Sequence, residues 1–422
     1  GYAAANPNLR SQFLLYRALL LAMQGSVERA RLALSEADRF FDQFGTGPFG
    51  AQRALLTAAI LFFCGEHEPA RDWLETAGRA ADRTGARSVR AGVHALAARL
   101  AMDAEHWTRA RDEVTAFLRL MREQHYDCYF LCEPGTMDRV LSFAAEAGID
   151  PETVNRLGQR LLDRAYTGSG GHLPLLRLEL LGRIRLRCQT QEVSGDHLAR
   201  RERTYLSTLA GADDQQIDRE RLFEAIWPGG AHNSANIYVV RNRLKKNLQH
   251  AAPGLAAGDY FKMTGSVVRL ENARIDAATY RTLTETGLGH WMRGEHWQAE
   301  CLFQEADALW RGTFAPTAED NDLVRDYRLH LHRITEQRVL AWSGLLQQRG
   351  AHGEAEAVLE RFLEDDPINE EAIKRLYGIR RRQSTGAAAE KALSRYRRQL
   401  EAEQFSRDEI ERALESIRCG SA

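Results

Sequence analysis

Small and apolar residues recur every 40 residues in the first third of the chain. Ala30, Ala70 and Ala110 are each followed by an apolar residue four positions later and by a small or apolar residue three positions after that. This spacing draws one stripe along one face of a helix. A further alanine lies twelve residues before each of these positions, and the three are Ala18, Ala58 and Ala98. The pattern predicts three helical hairpins whose helices approach closely at small side chains.

These hairpins resemble the tetratricopeptide (TPR) motif, although their repeat is longer than the usual length of about 34 residues. The resemblance covers residues 10–165. A different α-solenoid or a helical bundle is the alternative. Stacked hairpins present a concave face to a ligand or protein. We therefore expect a TPR-like domain at residues 1–166 that serves as a sensor or docking array for an unidentified ligand or protein partner.

The pattern of apolar residues changes after residue 166. The segment YTGSGGHLP is rich in Gly and Ser and cannot continue a helix, so it predicts a linker at 167–174. At 176–187, apolar and charged residues then alternate, which is typical of a half-buried pair of strands. Helical patterns follow at 196–212, 218–230 and 232–250, and two β-prone runs joined by Thr-Gly end at residue 270. This order of elements predicts a winged helix-turn-helix DNA-binding domain at 175–271.

The last of these three helices is cationic on one side and apolar on the other. Its sequence, HNSANIYVVRNRLKKNLQH, has four Lys or Arg residues and no Asp or Glu. The polar side combines cations, which phosphates attract, with amides and hydroxyls that can reach base edges in a major groove. A solvated surface helix is the alternative, but charges of both signs would then be expected. The residues predicted to pack inward are Ile237, Val240, Leu244 and Leu248.

We therefore predict that the polar side of this helix, with the hairpin that follows it, binds double-stranded promoter DNA. Arg241 and Asn242 are expected to point outward and read bases, whereas Lys246 is expected to anchor phosphate. The predicted DNA-binding residues are Asn233, Ser234, Asn236, Tyr238, Arg241, Asn242, Lys245, Lys246, Lys262 and Thr264.

The segments ARRERTYLSTLAG, RERLFEAIWPG, ANIYVVRNRLKKNL and IDAATYRTL resemble the DNA-binding domain of SARP-type regulators (Streptomyces antibiotic regulatory proteins). The resemblance implies that a bacterial transcriptional activation domain follows directly, at 272–422. The segments GEHWQAECLFQEADALWRGTF and AEKALSRYRRQLEAE match the pattern of that domain. In this family the domain is helical, supports homodimerisation and helps to contact RNA polymerase. Two departures are Val267-Val268, where the family usually has Gly-Tyr, and Arg241 at an apolar position of the third helix.

The small-and-apolar stripe of the first hairpins returns in this last segment. It predicts further TPR-like helical pairs, now separated by unequal insertions. The residues of the stripe are Ala299, Phe303, Ala306, Ala355, Leu359, Phe362, Ala392 and Tyr396.

Composition narrows the function without assigning it. The 57 basic residues are matched by 58 acidic ones, so a globally basic nucleic-acid coat is excluded. The six Cys lack paired spacing, which fits a reduced compartment better than disulfides or a zinc site. No apolar run is long enough to span a membrane, and no secretory signal is present, so a cytoplasmic location is expected.

The segment GTGPFGAQ at 45–52 has the glycine spacing of a phosphate loop but lacks its Lys and its Ser or Thr. With no other catalytic motif, we expect no enzyme activity, cofactor or metal.

The sequence thus predicts a mainly α protein with TPR-like repeats, a winged helix-turn-helix and a C-terminal TPR-like helical domain. Its predicted function is sequence-specific transcriptional regulation, as an activator that contacts RNA polymerase. The alternative is a TPR scaffold whose winged helix mediates protein contacts. The chain begins with Gly and not Met, which suggests a piece of a longer protein or the remnant of a tag, and similar regulators often carry an upstream NTPase domain.

Overall fold

The structure is a computed structural model that describes residues 7–44, 49–189, 191–230, 235–251, 257–383 and 386–420. Its contacts divide the chain into two compact units, Gly1–Leu175 and Leu176–Ala422. Helices dominate both units. The predicted mainly α fold with helical repeats is therefore confirmed.

The described part of the first unit begins with six helices that pack as three consecutive hairpins, α1 with α2, α3 with α4, and α5 with α6. Their bounds are α1 Pro7–Met23, α2 Val27–Phe44, α3 Gly50–Phe63, α4 His67–Thr84, α5 Arg87–Asp103 and α6 Trp107–Glu123. The six alanines that define the 40-residue period all have no exposed surface. The period therefore marks the positions where helices meet most closely, as predicted.

The turns of the three hairpins repeat with the same period. Gly25 and Gly65 have φ values of 75° and 82°, a left-handed conformation in which glycine avoids the Cβ clash. Glu105 takes this conformation in the third hairpin, with φ 57°. The third hairpin therefore keeps the left-handed turn conformation without glycine, at some cost in backbone strain.

The first unit ends in two shorter helices and a β-hairpin. They are α7 Pro134–Glu146, α8 Pro151–Leu157, β1 Arg164–Tyr166 and β2 His172–Pro174. The two strands are antiparallel. The Tyr166 hydroxyl donates to Asp138 Oδ1 over 2.6 Å and ties β1 to α7. The Gly- and Ser-rich segment that was predicted to be a linker therefore forms the turn of a hairpin packed on the first unit.

The second unit begins with a sheet of four strands in the order β5-β4-β3-β9. The strands are β3 Leu176–Glu179, β4 Arg185–Cys188, β5 Gln191–Ser194 and β9 Ala273–Ile275. Leu176, Leu178 and Leu186 are buried, as the alternation predicted. β9 pairs in parallel with β3. Because β9 follows residue 271 in the chain, the sheet of the winged helix extends past the boundary predicted from the sequence.

Three helices and a second sheet complete the predicted winged helix-turn-helix. The helices are α9 Arg200–Gly211, α10 Arg219–Ile226 and α11 Ala235–Ala251. The sheet, in the order β6-β8-β7, contains β6 Gln216–Asp218, β7 Phe261–Thr264 and β8 Val267–Leu270. Val268 is buried while Val267 is partly exposed, so the strand alternates normally despite its departure from the family pattern. The hairpin of β7 and β8 is the wing.

Within the described residues, seven helices follow β9. They are α12 Asp276–Met292, α13 His296–Leu309, α14 Asp322–Gln348, α15 His352–Asp365, α16 Glu370–Gln383, α17 Ala387–Ala402 and α18 Arg407–Gly420. All eight stripe residues predicted in this region are buried. The predicted helical pairs are therefore present, with α14 much longer than the helices beside it.

The first of these helices share a core with the winged helix. Phe314 and Tyr327 belong to the same buried apolar cluster as Tyr205 of α9. Asp276, at the start of α12, accepts hydrogen bonds from the backbone N–H groups of Leu180 at 2.8 Å and Leu181 at 3.1 Å. Burial raises the pKa of this carboxyl. The winged helix and the helical region that follows it are therefore joined by packing as well as by the chain.

Candidate nucleic-acid interface

α11 is held in place by its apolar stripe. The residues of the stripe, all almost fully buried, are Ile237, Val240, Leu244 and Leu248. The helix packs against α9 and β5. The amide of Asn247 also donates to Glu202 Oε2 of α9 over 3.0 Å. The predicted inward face is therefore confirmed, and the opposite face of α11 is turned to solvent.

The solvent face contains three of the predicted side chains and two that were not predicted. Tyr238, Asn242 and Lys246 are exposed. Val239 and Arg243 are exposed as well. Consecutive helical residues are about 100° apart, so Val239 lies on the same side of α11 as Asn242, three positions later, and Lys246, seven positions later. Val239 was not predicted because only cations, amides and hydroxyls were considered as DNA contacts, and its angle from the buried stripe is the signal that could have identified it.

Arg241 does not point outward as predicted. Its guanidinium donates from Nε and Nη2 to the carbonyl oxygen of Phe261, at 2.9 and 2.6 Å. The side chain is half-buried between α11 and the wing strand β7. The departure from the family pattern at this position therefore has a structural cause, because the arginine satisfies a backbone carbonyl of the wing. The prediction that it points outward is wrong.

Lys245 and Asn236 also lie partly inside the surface. Lys245 is half-buried, and burial lowers the pKa of its ammonium group, with Arg241 adding to the shift and Asp259 opposing it. Asn236 is half-buried at the start of α11. Asn233 and Ser234 fall outside the described residues. The residues best placed to meet DNA on α11 are therefore those of the solvent face.

In the wing, the two predicted residues have different surroundings. Lys262 on β7 pairs with Glu271 at 2.8 Å. Thr264 is exposed at the end of β7, next to Gly265, whose φ is 62°. A phosphate that binds Lys262 must therefore compete with a carboxylate, whereas the Thr264 hydroxyl is presented directly at the tip of the wing.

α11 differs in net charge from α10, the helix that precedes it. α10 contains two Arg and two Glu, whereas α11 contains four Lys or Arg and no acidic residue. The two helices have similar polar content but a different charge balance. The cationic surface is therefore concentrated on α11, where a nucleic acid would meet the exposed amide and guanidinium groups.

Other site types find less support within the described parts of the chain. No group of His, Cys, Asp or Glu there is arranged to hold a metal ion. None of the helices in those parts is long and apolar enough to cross a membrane.

Residues 275–417 match the family described as "Bacterial transcriptional activator domain". The match begins at the last residue of β9 and ends within α18. The match confirms the predicted resemblance to SARP-type regulators in this part of the chain. No curated protein sequence matches the chain significantly.

Two of the solved structures that are similar to the chain differ in how much of it they cover. One is Mycobacterium tuberculosis EmbR in complex with a low-affinity phosphopeptide, with a TM-score of 0.43 and 20% identity, covering 57% of this chain and 64% of that chain. The chain thus matches less than two thirds of the length of EmbR. The other is the TPR domain of P58(IPK), with a TM-score of 0.19 and 11% identity, covering 97% of each chain.

Proposed function

Because residues 275–417 belong to the bacterial transcriptional activator domain family, we propose that this chain is a sequence-specific DNA-binding transcriptional activator. In the proposed complex, α11 lies in the major groove of promoter DNA and the wing contacts the adjacent backbone. The observation that carries the proposal is the solvent face of α11, which is cationic, free of acidic residues and mounted on a winged helix-turn-helix. Such a face attracts phosphates and can still distinguish base edges.

The solvent face divides into groups that read bases and groups that bind phosphate. The Asn242 amide and the Arg243 guanidinium can each make two hydrogen bonds to a base edge, which is the geometry that discriminates bases. Val239 can contact the methyl group of thymine. Lys246 carries a flexible ammonium group, which suits phosphate better than a base edge. Thr264 and Lys262 extend the contact along the backbone from the wing.

Arg241 is proposed to act through the wing and not on a base. Its two hydrogen bonds to Phe261 join the recognition helix to β7. Without them, the wing carbonyl loses a charged donor, and the wing is held less firmly against α11. Arg241 is therefore a positioning residue, and its loss should weaken binding to all duplexes alike.

The remaining parts of the chain are proposed to connect DNA binding to transcription. The C-terminal helices, which share a core with the winged helix, are proposed to contact RNA polymerase. The first unit is proposed to receive a ligand or protein that regulates the activator. The carboxylate of Asp276 accepts hydrogen bonds from the backbone N–H groups of Leu180 and Leu181. A displacement of α12 would therefore be transmitted directly to the winged helix.

A second candidate function is a scaffold whose winged helix binds a protein. The packed hairpins of the first unit favour it, since stacked helical repeats usually serve as docking surfaces. The salt dependence of DNA binding separates the two functions. Each neutralised phosphate releases counterions, so a DNA-binding face must lose affinity as salt rises.

The test uses the full chain and a specific duplex selected from genomic DNA by pull-down. Between about 50 and 200 mM salt, affinity should fall about tenfold or more. Arg243→Ala and Lys246→Ala should each weaken binding, whereas Arg395→Ala, an exposed arginine on α17 of the same unit, should not. A flat salt response, or equal effects of the three substitutions, would reject the DNA-binding function and favour the scaffold.

A further inference from the structure

An open groove lies between the second and third hairpins of the first unit. Side chains of α4, α5 and α6 line a cavity there of about 370 Å³, and we call it the α4–α6 groove. Small-molecule sites in proteins usually have volumes of about 300–1,000 Å³. The most buried side chains of the lining are apolar, as at Leu74, Val93 and Leu100, whereas its exposed side chains are polar or charged. The groove can therefore hold a small molecule that has an apolar part and a charged part.

The 40-residue period explains why this groove is open. In the preceding pair of hairpins, the guanidinium of Arg53 on α3 fills the corresponding space. It lies 4.0 Å from the centre of the Phe41 ring of α2 and 5.9 Å from the centre of the Trp73 ring of α4. Forty residues later, smaller side chains take the places of all three, and they are Ala81, Val93 and Glu113. The α4–α6 groove is therefore a space that the repeat fills in one hairpin pair and leaves empty in the next.

The same comparison shows that the groove has lost an acidic residue. Arg31 of α2 pairs with Glu66, the residue before α4, at 2.8 Å. Forty residues later the arginine is kept as Arg71, but the acid is replaced by His106, the residue before α6. Arg71 pairs with Glu68 of its own helix, and that glutamate does not line the groove. A carboxylate that crosses from one hairpin to the next is therefore missing at this position.

The acidic side chains that do line the groove are already engaged. Each lies close to a basic side chain of the lining, and the pairs are Glu113 with His94 at 2.7 Å, Asp82 with Arg90 at 3.4 Å and Glu75 with Arg79 at 3.8 Å. Arg109 of α6 has no acidic partner among the residues that the structure describes. The groove therefore keeps a positive charge that its own carboxylates do not neutralise.

We propose that the α4–α6 groove binds a small organic phosphate, with the phosphate at Arg109 and the carbon part against Leu74 and Val93. The lining includes four arginines from three helices. Guanidinium groups bind phosphate through paired hydrogen bonds. A phosphate offers three acceptor oxygens and nearly two charges, so it can bind more of these arginines than a carboxylate can. This inference names the ligand that the first unit is proposed to receive, and it rests on that proposal.

The experiment is isothermal titration calorimetry of the full chain, without DNA, with phenyl phosphate as the probe. Phenyl phosphate should bind saturably at one site. Inorganic phosphate, which lacks the ring, should bind about tenfold more weakly. Arg109→Ala should weaken binding of phenyl phosphate about tenfold or more, because a charged donor is lost. Arg29→Ala is the matched control, since Arg29 is the exposed counterpart of Arg109 in the first hairpin and lies outside the groove.

Two substitutions of Glu113 separate the volume of the groove from its charge. Glu113→Trp introduces the residue that stands at position 73, and it should abolish binding by filling the groove, although it also removes a negative charge. Glu113→Gln removes the same charge at nearly the same size, and it should bind phenyl phosphate at least as tightly as the wild-type chain. Melting of each variant, followed by circular dichroism, shows that the first unit is folded.

Three results would overturn the proposal. They are no saturable binding of phenyl phosphate, equal effects of Arg109→Ala and Arg29→Ala, and unchanged affinity in a folded Glu113→Trp chain. Because these titrations contain no DNA, such a failure would leave the salt-dependent DNA binding untouched. A chain that binds phenyl phosphate but shows a flat salt response with DNA would reject the proposed DNA-binding function and retain the groove as a ligand site.

Discussion

The two helical-repeat regions of the chain contain the same stripe of small and apolar residues, but the second region also shares part of its core with the winged helix. In α1–α6, the stripe is packed among hairpins of the first unit alone. In the C-terminal region, most of the stripe is packed among the helices of that region, but Ala306 belongs to the core of the winged helix, to which α14 contributes Tyr327 and Leu331. One pattern can therefore build either a separate array or a domain that is continuous with its neighbour. What differs is the sequence between the helices, such as the segment that carries Phe314 into the shared core.

The largest effect expected from this comparison is on stability. Phe314→Ala and Phe117→Ala both remove a fully buried ring, and each should lower the unfolding free energy of its own unit by about 3–5 kcal/mol. Only Phe314→Ala should also weaken DNA binding, because only its cluster includes the winged helix. Denaturant unfolding and duplex binding of the full chain measure the two quantities. Equal losses of DNA affinity in the two variants would contradict the conclusion that DNA binding depends on the core around Phe314 and not on the core around Phe117.

A smaller effect is expected at the joint between the winged helix and α12. Asp276→Ala would leave the N–H groups of Leu180 and Leu181 without their acceptor, at a cost of about 1–3 kcal/mol in the stability of the second unit. Asp276→Asn keeps one acceptor oxygen and should lose less. Denaturant unfolding of the full-length variants ranks them. If both substitutions prove neutral, these hydrogen bonds do not hold the two parts together.

A comparable effect is expected on DNA recognition, and it should be confined to the second unit. Asn242→Ala and Arg243→Ala should each cost about 1–3 kcal/mol on the preferred duplex and little on random DNA. Lys246→Ala should weaken both kinds of duplex and reduce the salt slope by about one unit. Arg79→Ala, on α4 of the first unit, is the control and should change neither. Identical profiles for Asn242→Ala and Lys246→Ala would contradict the division into base-reading and phosphate-binding groups.

The sequence predicted the elements of both regions because periodic patterns report local structure. The buried alanines and the stripe of α11 follow directly from spacing along the chain. Arg241 was misplaced because its partner, the carbonyl of Phe261, is 20 residues away in sequence, and no pattern within one helix reveals it. Val239 was not predicted for a different reason, since only cations, amides and hydroxyls were considered as DNA contacts. The parallel pairing of β9 with β3 is also a long-range contact.

The same limit applies to the joint between the winged helix and the helical region. The segment around Phe314 carries no periodic signal, and its burial depends on residues more than 100 positions earlier, such as Leu181, with which it forms a β-bridge. The sequence resemblance placed a boundary near residue 271, whereas packing unites the residues on both sides of it. Local patterns therefore predicted where the helices lie, but they did not show which helices share a core.

The smallest expected effect is that of removing the first unit on DNA affinity, and it tests the comparison most directly. A chain that begins at Leu175, without the first unit, should fold and bind a specific duplex with unchanged affinity. The reason is that the second compact unit begins at Leu176 and contains the winged helix, its apolar core and the activator domain match at 275–417. The full chain, measured in parallel, is the reference for affinity and salt slope. A starting point at Leu173 would split the hairpin of β1 and β2 and retain part of an unpaired strand, so Leu175 is the better choice. Loss of DNA binding in this shortened chain would mean that the array supports the winged helix, and the contrast between an independent array and a continuous activator region would no longer hold.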